Sequence, residues 1–244
     1  MSGTSMQVIN DHGFKADFLI NLMENRKKVT NTEVDMAWLG AVDAMKQVEY
    51  DCQVRNLACD LTSLKHAVMR SAELGLSLHR NAKECYVGID GAGQGGSFKL
   101  GFCYRGLRRL MLRNPEVKRF SSQVVHDVDK FEWRGECERP NIIINGNSSN
   151  VIFAYGWMEL RNGDINSVLL NTDELLSIER MDVERAIQFY GNENQSLYRT
   201  HWRKRMFEIE ALKALFRHCG DIIEITSSEG SDVFGSLSAV GGMD

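Results

Sequence analysis

Two segments of the chain are rich in arginine and lysine, the side chains that bind phosphate. Residues 99–119 carry seven basic side chains and one acidic one, and residues 198–218 carry six basic and two acidic ones. Arginine suits phosphate because its planar guanidinium donates to two oxygens at once. These segments predict polyanion binding, with the candidate contacts Lys99, Tyr104, Arg105, Arg108, Arg109, Arg113, Arg203, Lys204, Arg205, Lys213 and Arg217.

The first basic segment has the periodicity of an amphipathic helix. At about 100° per residue, the arginines of residues 105–113 fall within one arc, and Leu107, Leu110 and Met111 fall opposite. Solvated helix faces usually mix charges, so a face with four arginines and no acid favours an anion. Tyr104, just before this face, is the aromatic residue best placed to stack on a base; Phe102, Tyr198 and Trp202 also accompany the cations, but most of these rings are expected in the core.

The second basic segment is less uniform. Arg203, Lys213 and Arg217 form a stripe along a predicted helix, about 21 Å long at 1.5 Å per residue, which is the length of several nucleotides. Glu210 lies in the same stripe and could pair with Lys213 or Arg217. The stripe is therefore either a nucleic-acid contact or a structural ion-pair network.

A glycine motif raises a different chemistry. Gly91, Gly93 and Gly96 have the GxGxxG spacing of a phosphate-binding loop. Such a loop needs a helix after it, whose N-terminus faces the phosphates, whereas the alternating residues 97–104 predict a strand. We expect the tip of a β-hairpin, with no nucleotide cofactor.

Acidic residues offer a third possibility, metal-dependent nuclease chemistry. His126, Asp127, Asp129 and Glu132 lie close in sequence, and Glu116 precedes a lysine by two positions. The segment falls near a turn between strands, where Asp is common for turn formation. With no other catalytic signature, we expect a protein that is not an enzyme and that holds no metal.

Composition limits the other classes of protein to which this chain could belong. The chain has 244 residues, 43% hydrophobic, and a net charge of −4 that hides the two basic segments and an acidic end with five acids and no Lys or Arg after position 220. Six cysteines without a CxxC pair, and the lack of a signal peptide, favour reduced thiols in the cytoplasm. No run of about 20 apolar residues predicts a membrane span.

Local patterns predict an α+β fold: a small antiparallel β-sheet with hairpins, flanked by helices, and a basic groove between a hairpin–helix and a long C-terminal helix. Helices are expected over 15–28, 33–48, 106–114 and 199–218, after an Asp60 N-cap, and from a Thr172 cap. Strands are expected over 84–90, 97–104, 119–135 and 150–170, with an Asn162-Gly163 turn, and residues 182–197 are expected to be irregular. We divide the chain into a lead-in with a first helix (1–30), a core domain (31–225) and a flexible Gly/Ser-rich tail (226–244).

Several stretches, taken together, resemble a known family. They are "LTSLKHAVMRSAELGLSL", "FKLGFCYRGLRRLMLRNPEVKRFSSQVVHDVDKFEW", "VIFAYGWMELRNGD" and "THWRKRMFEIEALKALFRHCGDIIEI". In this order, over about residues 57–225, they resemble the RecT/Redβ (Bet) family of phage single-strand annealing proteins, closest to the RecT branch. The Tyr104-Arg105-Gly106 turn entering a helix is one of three markers that are specific together. The others are the strand residues Val124, Val125, Asp129 and Phe131, and the C-terminal helix residues Trp202, Met206, Leu215 and Arg217.

The resemblance implies ATP-independent annealing of complementary DNA strands in homologous recombination, inside a bacterial host cell. It implies single-stranded and annealed duplex DNA as ligands, homo-oligomers in rings or helical filaments, and a phage exonuclease and host single-strand-binding protein as partners. Arg105, Lys204, Lys213 and Arg217 match basic positions of the family, whereas Glu208, Ile209 and Glu210 replace lysines found in relatives. A metal-dependent nuclease and a non-annealing single-strand-binding accessory protein remain the alternatives.

Overall fold

The computed structural model describes residues 4–26, 28–54, 56–90, 95–146 and 148–219. The chain divides into two compact units, residues 1–110 and 111–244. The predicted core domain of residues 31–225 includes parts of both units, and the predicted tail lies outside the described residues. Within the described part of the chain, no helix combines the length and the apolar character that crossing a membrane requires.

The first unit combines helices with a small sheet. Its elements are α1 (Thr4–Ile9), α2 (His12–Asn25), α3 (Asn31–Val54), β1 (Ala58–Cys59), α4 (Leu61–Glu73), β2 (Cys85–Asp90), β3 (Gly95–Phe102) and α5 (Tyr104–Arg113), whose last three residues belong to the second unit. β2 and β3 form the predicted antiparallel hairpin, and β1 adds a short parallel pairing to β3. Asp60 caps α4 as predicted, because its carboxylate accepts the backbone N–H groups of Thr62 and Ser63.

The second unit contains a three-stranded antiparallel sheet in the order β4–β7–β8. Its elements are β4 (Val117–His126), β5 (Lys130–Glu132), β6 (Asn141–Ile143), β7 (Val151–Leu160), β8 (Ile165–Asn171), α6 (Thr172–Tyr190), two short 3-10 helices (Glu193–Gln195 and Leu197–Arg199) and α7 (Arg203–His218). The α+β class and the antiparallel sheets predicted from sequence are confirmed. Gly163 turns the β7–β8 hairpin with a positive φ of 96°, as its Asn-Gly sequence predicted.

Two faces of this sheet have different coverings. On one face α7 packs so closely on β7 that a Cβ added to Gly156 would lie 2.9 Å from the carbonyl oxygen of Ala211. Val124, Ala154 and Phe207 belong to the core that fills this interface. On the other face the β5–β6 hairpin covers part of the sheet through Phe131 and Ile142. Because side chains alternate along a strand, residues 153, 155 and 157 of β7 face away from α7.

Three sequence-based assignments in the second unit are wrong. Residues 182–190 are not irregular but continue α6, whose buried Leu175, Val183 and Ala186 have helical spacing and which ends at Gly191 with φ 68°. The N-cap of α6 is Asn171 rather than Thr172, since the Asn171 side chain accepts the N–H of Glu174 in a capping box. The strand expected over 119–135 is interrupted after residue 126 by the turn that leads to β5.

Candidate nucleic-acid interface

The first candidate surface is built around α5, and Gly106 fixes the position of this helix. A Cβ at Gly106 would lie 2.0 Å from the backbone carbonyl oxygen of Glu84, so only glycine permits this approach. The same carbonyl oxygen accepts the N–H of Cys103 at 2.9 Å, immediately before the helix begins. The Tyr-Arg-Gly sequence therefore holds the first turn of α5 against the strand that starts at Cys85.

The predicted division of α5 into two faces is confirmed. Leu107, Leu110 and Met111 are buried, whereas Arg105, Arg108 and Arg113 are exposed. Arg105 and Arg108 make no ion pair with any residue that the structure describes. Their guanidinium groups thus remain available to an external anion.

Arg109 has a different environment from its neighbours. Its guanidinium pairs with the carboxylate of Glu84, which is only 6% exposed. Glu84 also accepts from Arg26 at 3.2 Å and from the backbone N–H of Ser77 at 2.8 Å. A buried carboxylate requires such partners, so Arg109 contributes to the attachment of α5 within the first unit.

The hairpin before α5 carries two more candidates. Lys99 lies on β3, opposite Gly88 of β2, and is half-buried. Tyr104 is half-buried at the start of α5. Next to them the ring of Tyr86 covers Gly101 across the hairpin, where a Cβ would lie 2.3 Å from the ring. This pairing leaves no space for a side chain at Gly101 and packs an exposed tyrosine flat against β3.

The second candidate surface is α7, where most of the predicted cations have acidic partners. Arg203 donates from Nε and Nη2 to the carboxylate of Glu179 on α6, at 3.1 and 2.8 Å, and its guanidinium lies 4.8 Å from the Phe207 ring. Glu179 is 6% exposed and also pairs with Arg199 at 3.5 Å. Arg203 is therefore held by a bidentate contact between α6 and α7.

Farther along α7 the pairs are local. Arg205 pairs with Glu208 at 2.6 Å, and Lys213 pairs with Glu210 at 2.8 Å, both three residues apart. The pairing of Glu210 with Lys213 was one of the two alternatives that the sequence left open. Lys204 is exposed and makes no ion pair with a described residue, and Arg217 is exposed near the end of the helix.

The aromatic candidates separate into core and surface residues. Phe102 is buried in the first unit, and Tyr198 is buried against Phe207, with ring centroids 5.3 Å apart. Burial raises the pKa of the Tyr198 hydroxyl well above its ordinary value, so this group stays protonated. Trp202, just before α7, is 51% exposed and lies 4.9 Å from the His201 ring. Trp202 is thus the accessible aromatic side chain near α7.

Two of the acidic residues considered for metal chemistry, Asp127 and Asp129, lie in the turn between β4 and β5. Asp129 accepts the N–H groups of His126 at 2.9 Å and Asn145 at 3.1 Å, and Asp127 accepts from the Asn150 side chain at 3.1 Å. These bonds lower the pKa of both carboxyl groups, with the His126 N–H the largest cause for Asp129 and the Ser148 hydroxyl for Asp127. The described residues contain no group of three His, Cys, Asp or Glu side chains suited to a metal.

The glycine motif lies at the β2–β3 hairpin. The last described pair before the tip joins Asp90 and Ser97, and residues 91–94 lie outside the described residues. Gly96 belongs to β3, so a strand follows the motif, as the alternating sequence predicted. The six cysteines carry free thiols, and three of them, Cys52, Cys85 and Cys219, are buried.

One cationic residue escaped the sequence analysis. Arg139 lies between β5 and β6, with its guanidinium 4.3 Å from the ring of Trp157. Its neighbours in sequence include Glu136 and Glu138, so no basic run marks this position. Only the pairing of β5 with β6 brings it near β7.

Comparison with known proteins identifies one family. The RecT family model matches residues 41–226, about three quarters of the chain, and this range includes α5 and α7. No curated protein gives a significant match. Since the family model covers well over half of the sequence, the chain belongs to the RecT family of DNA-recombination proteins that anneal single strands.

Proposed function

We propose that this protein anneals complementary DNA strands without ATP in phage-type homologous recombination, and that it holds single-stranded DNA by its phosphates. The observation that carries the proposal is the face of α5, where Arg105 and Arg108 are exposed and have no acidic partner among the described residues of this RecT-family chain. Helix α5 contains no Asp or Glu at all. The charge of this face is therefore not neutralised within its own helix.

Phosphate binding by arginine suits a protein that must accept any sequence. Contacts to phosphates fix the position of a strand but carry no sequence information. If Arg105 and Arg108 bind the backbone, the base edges stay accessible to a complementary strand. Base pairing and stacking then supply the free energy of annealing, so no nucleotide hydrolysis is required.

The two basic helices contribute unequally in this proposal. On α7, Arg203, Arg205 and Lys213 already pair with acids, and each pair reduces the local positive charge. Lys204 and Arg217 are the exposed cations of that helix and form its proposed phosphate contacts. We propose that α5 provides most of the electrostatic affinity and that α7 provides a weaker contribution.

The partners that the resemblance implies are part of the proposal. Family membership supports homo-oligomers, in rings or filaments, that bind single strands and keep the annealed duplex. A phage exonuclease would supply single strands, and the host single-strand-binding protein would be displaced from them.

The decisive experiment mixes complementary oligonucleotides with the protein in the absence of ATP and follows duplex formation. Acceleration over buffer is the expected result, and no acceleration contradicts the proposal. Binding of single strands without faster pairing would instead identify a non-annealing accessory protein. Shortening of a labelled strand with Mg²⁺ or Mn²⁺ would identify a nuclease, and Asp127→Ala should then abolish it.

A salt titration tests which cations contact phosphate. Each phosphate that is neutralised adds about 0.7 to the slope of log affinity against log salt for single strands. Arg105→Ala and Arg108→Ala should each lower the affinity and reduce the slope by about that amount. Arg180→Ala removes the same charge from an exposed position on α6 and is the matched control. If the α5 variants equal this control, the assignment of α5 is wrong.

A further inference from the structure

A cavity lies on the face of the β4–β7–β8 sheet opposite α7. Its volume is about 380 Å³, within the range of roughly 300–1,000 Å³ that is usual for small-ligand pockets. Ser121 and Gln123 of β4, Tyr155 and Trp157 of β7, and Arg139 beside β6 are among its lining residues. All of them belong to the second unit.

Phe153, Tyr155 and Trp157 form a row of aromatic side chains on this face of β7. The groups that cover this row change at the cavity. Phe131 packs on Phe153 and Tyr155, with ring centroids 5.8 and 5.4 Å apart, so an apolar ring covers the first two positions. At the third position, two guanidinium groups lie near the Trp157 ring, those of Arg139 at 4.3 Å and Arg119 at 5.5 Å. The cavity therefore lies where guanidinium groups, rather than the apolar ring of Phe131, cover the aromatic row of β7.

The two arginines over Trp157 differ in their partners. Arg119 donates from Nε to the carboxylate of Glu159 at 2.6 Å, opposite it on the neighbouring strand. Arg139 is exposed and has no ion pair with any of the residues that the structure describes. A guanidinium that rests on an indole ring and lacks a carboxylate offers one face and several N–H groups to a ligand.

The other lining groups are hydrogen-bonding side chains. The Tyr155 hydroxyl donates to the Gln123 amide oxygen at 2.7 Å, and Asn141 also lines the cavity. Amide groups can pair with the edges of a base, while arginine planes and aromatic rings stack on its face. A flat heterocycle bearing a phosphate satisfies both features of the cavity.

We propose that this cavity is a second single-strand site, which takes one unstacked nucleotide on Arg139. The base stacks on the guanidinium that Trp157 supports, and the same cation neutralises the adjacent phosphate. Because α7 packs on the other face of the sheet, the strand in this site is a different segment from the one proposed on α7. The inference rests on the proposed function, and it adds a position at which a second segment of DNA is held by the same subunit.

The test compares Arg139→Ala and Arg139→Lys with the control Arg180→Ala in the full-length chain, with an oligothymidylate as the probe. Arg139→Ala should lower the affinity about tenfold, as loss of a stacked base does, and reduce the salt slope by about 0.7. Arg139→Lys should restore the slope but not the affinity, because lysine keeps the charge and loses the planar surface. If Arg139→Ala equals Arg180→Ala, the inference is overturned.

A crosslinking experiment locates the nucleotide directly. Irradiation of the wild-type complex with a 4-thiothymidine oligonucleotide should modify the peptides that contain Arg139 or Trp157. Crosslinks confined to α5 and α7 would refute the second site while leaving the proposed function intact. Failure of the wild-type protein to bind the oligonucleotide would refute both. A further measurement uses an acidic peptide as the probe. If Arg139→Ala loses binding of this peptide while its DNA binding is unchanged, the cavity binds a protein segment instead.

Discussion

Replacing Gly106 by alanine tests whether close backbone packing positions the arginine face of α5. The added Cβ would lie 2.0 Å from the carbonyl oxygen of Glu84 and 2.8 Å from its carbon. A carbon and an oxygen in ordinary contact are about 3.3 Å apart or more, so the helix and the backbone at Glu84 must separate by about 1 Å. This movement also lengthens the bond from the Cys103 N–H to the same oxygen, now 2.9 Å.

These effects set the magnitude of the change. Overpacking against a backbone atom costs about 1–3 kcal/mol, and the weakened hydrogen bond costs about 1 kcal/mol. The better helix propensity of alanine returns at most about 1 kcal/mol. We therefore expect Gly106→Ala to lower the free energy of unfolding by about 2 kcal/mol. Since Arg105 and Arg108 move with the helix, the affinity for single-stranded DNA should fall as well.

Urea unfolding followed by circular dichroism measures the stability, and hydrogen exchange of the α5 amides localises the change. The matched control is Gly88→Ala in the same unit, where the added Cβ would be at an ordinary distance of 3.4 Å from the Tyr86 ring. This control should be neutral or more stable by about 0.5 kcal/mol, because alanine restricts the unfolded chain. If Gly106→Ala is as stable as Gly88→Ala, the packing argument for α5 is refuted.

Three further predictions concern acidic residues of the second unit, with Glu193→Gln as their common control because Glu193 makes an exposed ion pair. Glu179→Gln should destabilise the protein by about 3 kcal/mol in urea unfolding, since it leaves the bidentate Arg203 partly buried without a carboxylate; a loss no larger than that of the control would contradict this. Glu210→Gln should raise the affinity for single strands and increase the salt slope by about 0.7, because a carboxylate no longer competes with phosphate on α7; an unchanged titration would exclude this part of α7 from the interface. Asp129→Asn should destabilise the protein at neutral pH, and this destabilisation should shrink as the pH falls below about 3.9. The folded state lowers the pKa of this carboxyl, so its stabilisation is present above its unfolded pKa of about 3.9 and is lost as the pH falls through the folded value; a stability difference that does not change with pH would refute the assignment.

The sequence correctly predicted features that depend on nearby residues. The two faces of α5, the Asp60 cap of α4 and the Asn-Gly turn at Gly163 all follow from spacings of a few positions. Local geometry sets these features, because a helix repeats every 3.6 residues and a turn involves four. The family resemblance also rests on sequence, and the family match over residues 41–226 confirms it.

The tertiary structure alone decided which cations pair with acids on other elements. Arg109 meets Glu84 and Arg203 meets Glu179 across 25 and 24 positions of the chain. Sequence spacing within a helix cannot reveal such pairs, because packing between different elements brings them together. The α6 N-cap shows the same limit at short range: Asn171 captures the Glu174 N–H, while the Thr172 hydroxyl donates to the carbonyl of Ile152 on β7.

Charge and glycine composition therefore predicted the type of surface on this protein, and the packing within each unit decided which side chains remain available on it. An arginine is available to a ligand only when no buried carboxylate pairs with it. Whether it is paired in this way depends on residues that are distant in the sequence. Arg139 is the clearest case. Its acidic neighbours in the sequence leave no basic run at this position, and the pairing of β5 with β6 places its guanidinium over the Trp157 ring. The physical reason is that electrostatic partners and stacking surfaces are set by distance in space, which the order of residues fixes only within a helix turn or a hairpin.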